Sequence, residues 1–136
     1  MSQKFERSIP HRRTRLHHAN ETAEDYVEAV FDIIEDLGEC RVLDLSKYFD
    51  VSHVTVSRIV KRLQALGLLT TAPYRPIELT KKGAALAAQV KKRHEVVYEF
   101  LLWLGVDKKT AQIDSEGIEH HVSSKTIAAM KERMLT

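Results

Sequence analysis

Asp25 and Glu28 stand three residues apart, Glu116 and Glu119 repeat that spacing, and His120 follows Glu119 directly. Side chains three or four residues apart on a helix share a face. The stretch "DSEGIEHHVS", residues 114 to 123, therefore gathers Glu116, Glu119 and His120 with nothing basic among them. Carboxylates so placed repel by about a few tenths of a kcal/mol in a bare helix, which calls for positive charge from elsewhere. His94 supplies a second imidazole, four residues after Val90 and three before Val97 in an apolar stripe. Together these are four carboxylates and two imidazoles, and four negative charges balance two divalent cations. Oxygen-rich ligation with imidazole and no thiolate suits manganese (Mn2+), leaves iron(II) (Fe2+) open and disfavours a thiolate zinc site. Taken singly, each group has a plainer reading: Asp25 and Glu28 as a solvated face, His94 as a satisfied core histidine, Glu116 to His120 as helix surface.

The elements that hold these residues follow from periodicity. Thr22 reads as an N-cap before an amphipathic helix that buries Val27, Val30, Phe31, Ile34 and Leu37 and stops at Gly38. A short helix, "VLDLSKYF", precedes a turn and then "HVTVSRIVKRLQAL". Ser52 is its N-cap, Val51 and Val56 fit a hydrophobic staple, Gly67 fits the C-terminal cap, and Val56, Ile59, Val60, Leu63 and Leu66 form the buried face. "LLTTAPYRPIELT" reads as two short strands with Arg75 at the tip between them. A longer helix with Leu86, Val90, Val97, Leu101 and Leu104 at core spacing ends at Gly105; two more are expected, Lys108 to about His121 and Ser124 to about Met134. The fold class is mainly α: a winged helix-turn-helix domain over residues 21–82, then a helical metal-binding and dimerisation domain over 83–136. Residues 1–20 are polar and basic and read as a flexible arm of the kind that can reach a minor groove.

Charge is segregated more than the net +2 suggests. From Glu21 to Glu39 there are eight acidic residues and no basic one, whereas Lys47 to Lys82 holds seven Lys or Arg against Asp50 and Glu78. A basic middle beside an acid-rich helix implies a polyanion on one surface and cations on another. A helix entering the major groove needs short polar side chains near its start and long cationic ones further on. Ser52, His53, Thr55, Ser57 and Arg58 fit the first need and the guanine or phosphate contact, while Lys61, Arg62 and the wing residue Arg75 fit phosphates. The plainer reading of this face is a soluble protein-interaction module. No apolar run approaches a membrane span, no secretory signal follows Arg12, Arg13 and Arg15, and Cys40 stands alone, so a cytoplasmic protein without disulfides or membrane contact is expected.

The ordered set "EDYVE", the winged helix-turn-helix, "KRHEVV" around His94, "LGV" and "DSEGIEHHVS" resembles the diphtheria toxin repressor family, in its manganese-regulator branch, from about Thr22 to Thr136. The resemblance implies a two-metal site formed by Asp25, Glu28, His94, Glu116, Glu119 and His120, with Glu119 or Glu116 as bridge, and puts His121 at a position that is not a ligand in this branch. Iron-sensing members typically carry Met and Cys where this chain has Asp25 and Glu116, which favours manganese. It also implies a homodimer reading a palindromic double-stranded DNA operator, and metal that clamps the DNA-binding domain to the dimerisation domain to control, as a repressor, manganese transport genes. No catalytic residue is expected. Two other readings use the same residues: a dinuclear hydrolase, whose paired ions would activate water, and a metal-independent repressor in which the acidic pairs are surface only.

Overall fold

The computed structural model describes residues 3–136, with side chains from Asn20 onward. In chain order the elements are α1 (Gln3–Leu37), α2 (Val42–Phe49), α3 (His53–Ala65), β1 (Leu69–Thr70), β2 (Glu78–Leu79), α4 (Lys81–Leu104), α5 (Lys108–Ile118) and α6 (Ser124–Met134). Thr22 was expected to cap the first helix, but α1 runs through it without a break. The residues before it include Gln, Lys, Glu, Arg, Leu and Ala, which favour helix even without an apolar stripe. The side chains of the basic arm, and its expected reach to DNA, lie outside the described residues.

The chain divides into two compact units, Ala23–Gln89 and Met1–Thr22 with Val90–Thr136. Within the first, α1 presents Tyr26, Val27, Ala29, Val30 and Ile33 to a core shared with Leu45 of α2, Val56, Val60 and Leu63 of α3, and Leu68, Leu69 and Ile77 around the hairpin. Tyr26 stacks on Phe49 with ring centroids 4.4 Å apart. Ser52 caps α3 by accepting from the Thr55 N–H at 3.2 Å, and Gly67, at φ +76°, takes the left-handed conformation that ends it. β1 and β2 pair antiparallel, Leu69 opposite Leu79 and Thr70 opposite Glu78, and a bridge from Cys40 to Ile77 adds a third chain crossing. The hairpin is locked to the start of α4: Thr80 Oγ1 donates to the Gly67 carbonyl at 2.6 Å and Lys82 Nζ to the Leu66 carbonyl at 3.0 Å. Gly83 is required there, because a Cβ would overlap the Leu68 carbonyl oxygen.

In the second unit, Val90 and Val97 of α4 and Ala111 of α5 are buried. Asp107 caps α5 and Ser123 caps α6, each accepting from an N–H three residues on. Trp103, Leu104, Ile113 and Leu135 are exposed. Among the described residues no helix is long and apolar enough to cross a membrane.

Candidate metal centre and nucleic-acid interface

Two elements of the second unit build a polar cluster. α4 presents His94 from the turn between Val90 and Val97, with its ring stacked parallel to Tyr98 at 6.3 Å. α5 presents Glu116, and its C-terminus delivers Glu119 and His120. The helix was expected to continue to His121, but it ends at Ile118, with Glu119 as the C-cap and His120 in the following turn. Gly117 weakens the last turn of the helix. The bent exit turns Glu119 and His120 inward, and both are buried.

His94 Nδ1 lies 2.7 Å from Glu119 Oε2 and 3.7 Å from Glu116 Oε1. His94, Glu116 and Glu119 each offer a ligand atom within 4.8 Å of the others. Glu119 is 0% exposed, and its other oxygen, Oε1, is 3.3 Å from His120 Nε2. That oxygen has no hydrogen-bond partner among the described residues. A buried carboxylate with an unsatisfied oxygen is costly unless a cation or a donor meets it. Two imidazoles and a second carboxylate around it are a donor set that fits a divalent cation of the manganese or iron(II) type. Cys40 cannot soften this set: it is buried in the other unit, and its thiol is pushed up to about 12 by burial and then by the nearby Asp44 charge.

The structure therefore brings together His94, Glu116, Glu119 and His120. Asp25 and Glu28 are half-buried on successive turns of α1 and belong to the Ala23–Gln89 unit. Sequence reasoning missed Glu21, which approaches the same turn of the second unit: its carboxylate is 3.1 Å from His121 Nε2 and offers a ligand atom within 4.8 Å of His120's.

The first unit presents the other expected surface. Ser52, His53, Ser57, Arg58, Lys61 and Arg62 of α3 and Arg75 of the hairpin are exposed, and Thr55 is half-buried. Ser52 Oγ also donates to Thr55 Oγ1 at 3.0 Å, so these two hydroxyls are engaged in the cap. Arg41, His53, Ser57, Lys61, Tyr74 and Arg75 line a groove of about 460 Å³ between α3 and the hairpin. The hairpin tip turns at Tyr74, at φ +63°. Cations along one helix and the adjacent wing form the electrostatic footprint of a nucleic-acid binder.

Residues 18–77 match the iron dependent repressor N-terminal DNA binding domain, and residues 80–135 match the iron dependent repressor metal binding and dimerisation domain. A transcriptional regulator MntR of Escherichia coli O157:H7 is 42% identical over 120 residues, 88% of this chain and 77% of that protein. The HTH-type transcriptional regulator MntR of Bacillus subtilis (strain 168) is 36% identical over 104 residues, 76% of this chain and 73% of that one. Among solved structures, a manganese-dependent transcriptional repressor in complex with manganese superposes with a TM-score of 0.73 at 25% identity, over 82% of this chain and 51% of that chain. This chain thus spans about half the length of that solved relative. With both domains matched in order, the chain belongs to the iron dependent repressor family, also called the diphtheria toxin repressor family.

Proposed function

We propose that this protein is a manganese-dependent, DNA-binding transcriptional repressor of manganese transport genes. The observation that carries the metal half is Glu119, fully buried between two imidazoles with one oxygen unsatisfied. Solved relatives described as manganese regulators support the choice of ion, and so does a donor set of oxygen and nitrogen alone. The same donors suit iron(II), and the family's description keeps that ion as the alternative.

The proposed ligands are Asp25, Glu28, His94, Glu116, Glu119 and His120, for two ions per chain, since the charges of four carboxylates match those of two divalent cations. Bound cation would supply the positive charge this acidic group needs. Metal held by this set would clamp the DNA-binding domain to the dimerisation domain and favour the DNA-competent arrangement by its difference in affinity. On the DNA side, Arg58, Lys61, Arg62 and Arg75 neutralise phosphates while Ser57 and His53 face the base edges. Exposed Trp103, Leu104, Ile113 and Leu135 provide apolar surface for a twofold dimer, whose two recognition helices would meet successive half-sites of a palindrome.

The test is selection of double-stranded fragments from a random pool at fixed salt, with manganese and with chelator. Manganese-dependent enrichment of a twofold-symmetric sequence is expected, with Asp25→Met folded but insensitive to manganese. Equal enrichment under chelator would establish the metal-independent repressor instead.

A further inference from the structure

The Glu119 N–H still closes an α-helical bond to the Ser115 carbonyl at 3.1 Å, but the backbone beyond it, which carries His120 and His121, is held more weakly. Past Ile118, the His120 N–H reaches the Gly117 carbonyl at 3.3 Å and the His121 N–H reaches the Ile118 carbonyl at 3.0 Å. Both span three residues, and such bonds have poorer geometry than the α-helical ladder. Ligands on a turn of this kind need outside support to keep their orientation, since a metal site held loosely binds weakly. The support in view is a contact across 100 positions of sequence: Glu21 Oε2 of α1 lies 3.1 Å from His121 Nε2. His121 follows the buried His120 directly, so fixing its ring fixes the turn. A carboxylate at that distance accepts from a ring N–H and so favours the tautomer with the proton on Nε2.

We infer that Glu21 is a positioning residue for the metal centre, acting through His121 to pin the turn that presents Glu119 and His120. The inference rests on the metal reading proposed above, and it gives His121 a role although it is not among the proposed ligands. Glu21 touches the cation in no step of this scheme; its carboxylate serves as a hydrogen-bond acceptor and orienting charge.

The experiment is a manganese titration of the full chain by electron paramagnetic resonance, on wild type, Glu21→Ala, Glu21→Gln, His121→Ala and the Glu21→Ala/His121→Ala double variant. Circular dichroism melts of each metal-free protein run alongside. Glu21→Ala and His121→Ala should each weaken manganese binding about 10-fold. The double variant should be no worse than either single one, because both remove the same contact. Glu21→Gln, whose amide oxygen still accepts from His121, should restore most of the affinity, with metal-free melting unchanged throughout. Unaltered affinity in Glu21→Ala beside normal uptake by wild type would overturn this inference and leave the metal reading standing. Glu21→Gln as weak as Glu21→Ala, with His121→Ala like wild type, would make Glu21 a ligand and overturn its positioning role. A metal-free Glu21→Ala that melts well below wild type, with Glu21→Gln no better, would reduce the contact to fold stability. Wild type that takes up no manganese would refute the metal reading itself, and this inference with it.

Discussion

The two units of this chain spend their buried volume differently. In the Ala23–Gln89 unit, the interior is a continuous apolar cluster from α1, α2, α3 and the hairpin, with Leu45, Leu63 and Leu69 among the fully buried side chains and Glu24 the unit's one buried carboxylate among the described residues. Among the described residues of the other unit, the buried apolar side chains are Val90, Val97 and Ala111, and Ser115, Glu119 and His120 are buried as well. Its large apolar side chains Trp103, Leu104, Ile113 and Leu135 face outward. An interior of the first kind stabilises a fold by itself, because each large apolar side chain removed from water contributes about 1.5–3 kcal/mol. An interior of the second kind gives up that contribution to hold ionisable groups in place. A unit so built depends on what binds it: a cation for the carboxylates and a second copy for the exposed apolar surface.

Substitutions that strike one interior and spare the other test this contrast. Leu63→Ala removes a fully buried side chain of α3 and should destabilise the winged-helix unit by about 2–5 kcal/mol in urea unfolding. It should abolish DNA binding with or without manganese. Glu119→Gln preserves shape but removes the buried charge, and should cut manganese affinity at least about 100-fold, or about 2.7 kcal/mol, by isothermal titration calorimetry. Unfolding of the winged-helix unit should be untouched; a large loss of its stability would break the contrast. The smallest effect concerns pH. The Asp107 carboxylate is held below its ordinary value of 3.8 by the Thr110 backbone N–H and then by the Thr110 hydroxyl. A depressed folded pKa means that its stabilisation is present above pH 3.8 and fades as pH falls through the lower folded value. The Thr110 amide resonance should therefore shift below pH 3.8, and in Asp107→Asn, a neutral cap of similar quality, that titration should disappear.

The winged-helix unit was the more legible of the two. Apolar residues three and four apart found Val27, Val30, Val56, Val60 and Leu63, and local chemistry found the Ser52 cap and the glycine stops at Gly38 and Gly67. Periodicity overreached where a stripe outlasts its neighbouring element: Leu37, Leu66 and Leu104, expected to be buried, are 66%, 51% and 57% exposed at helix ends. Residue type and spacing also singled out His94, Glu116, Glu119 and His120, and the structure gathers these four. What spacing could not supply was the end of α5 at Ile118, which sets Glu119 and His120 on a turn rather than on a helix face. Glu21 was invisible for a different reason: its partner His121 lies 100 positions away, and no local pattern encodes a contact of that range.

The measurement that bears most directly on this account is a manganese titration of chelator-stripped protein by electron paramagnetic resonance, counting ions per chain, with Glu119→Gln run in parallel. The buried, half-satisfied Glu119 predicts saturable uptake, at two ions per chain if Asp25 and Glu28 complete the ligand set, and its loss in Glu119→Gln. Wild-type uptake no greater than that of Glu119→Gln would return the acidic residues to surface charge and contradict the account.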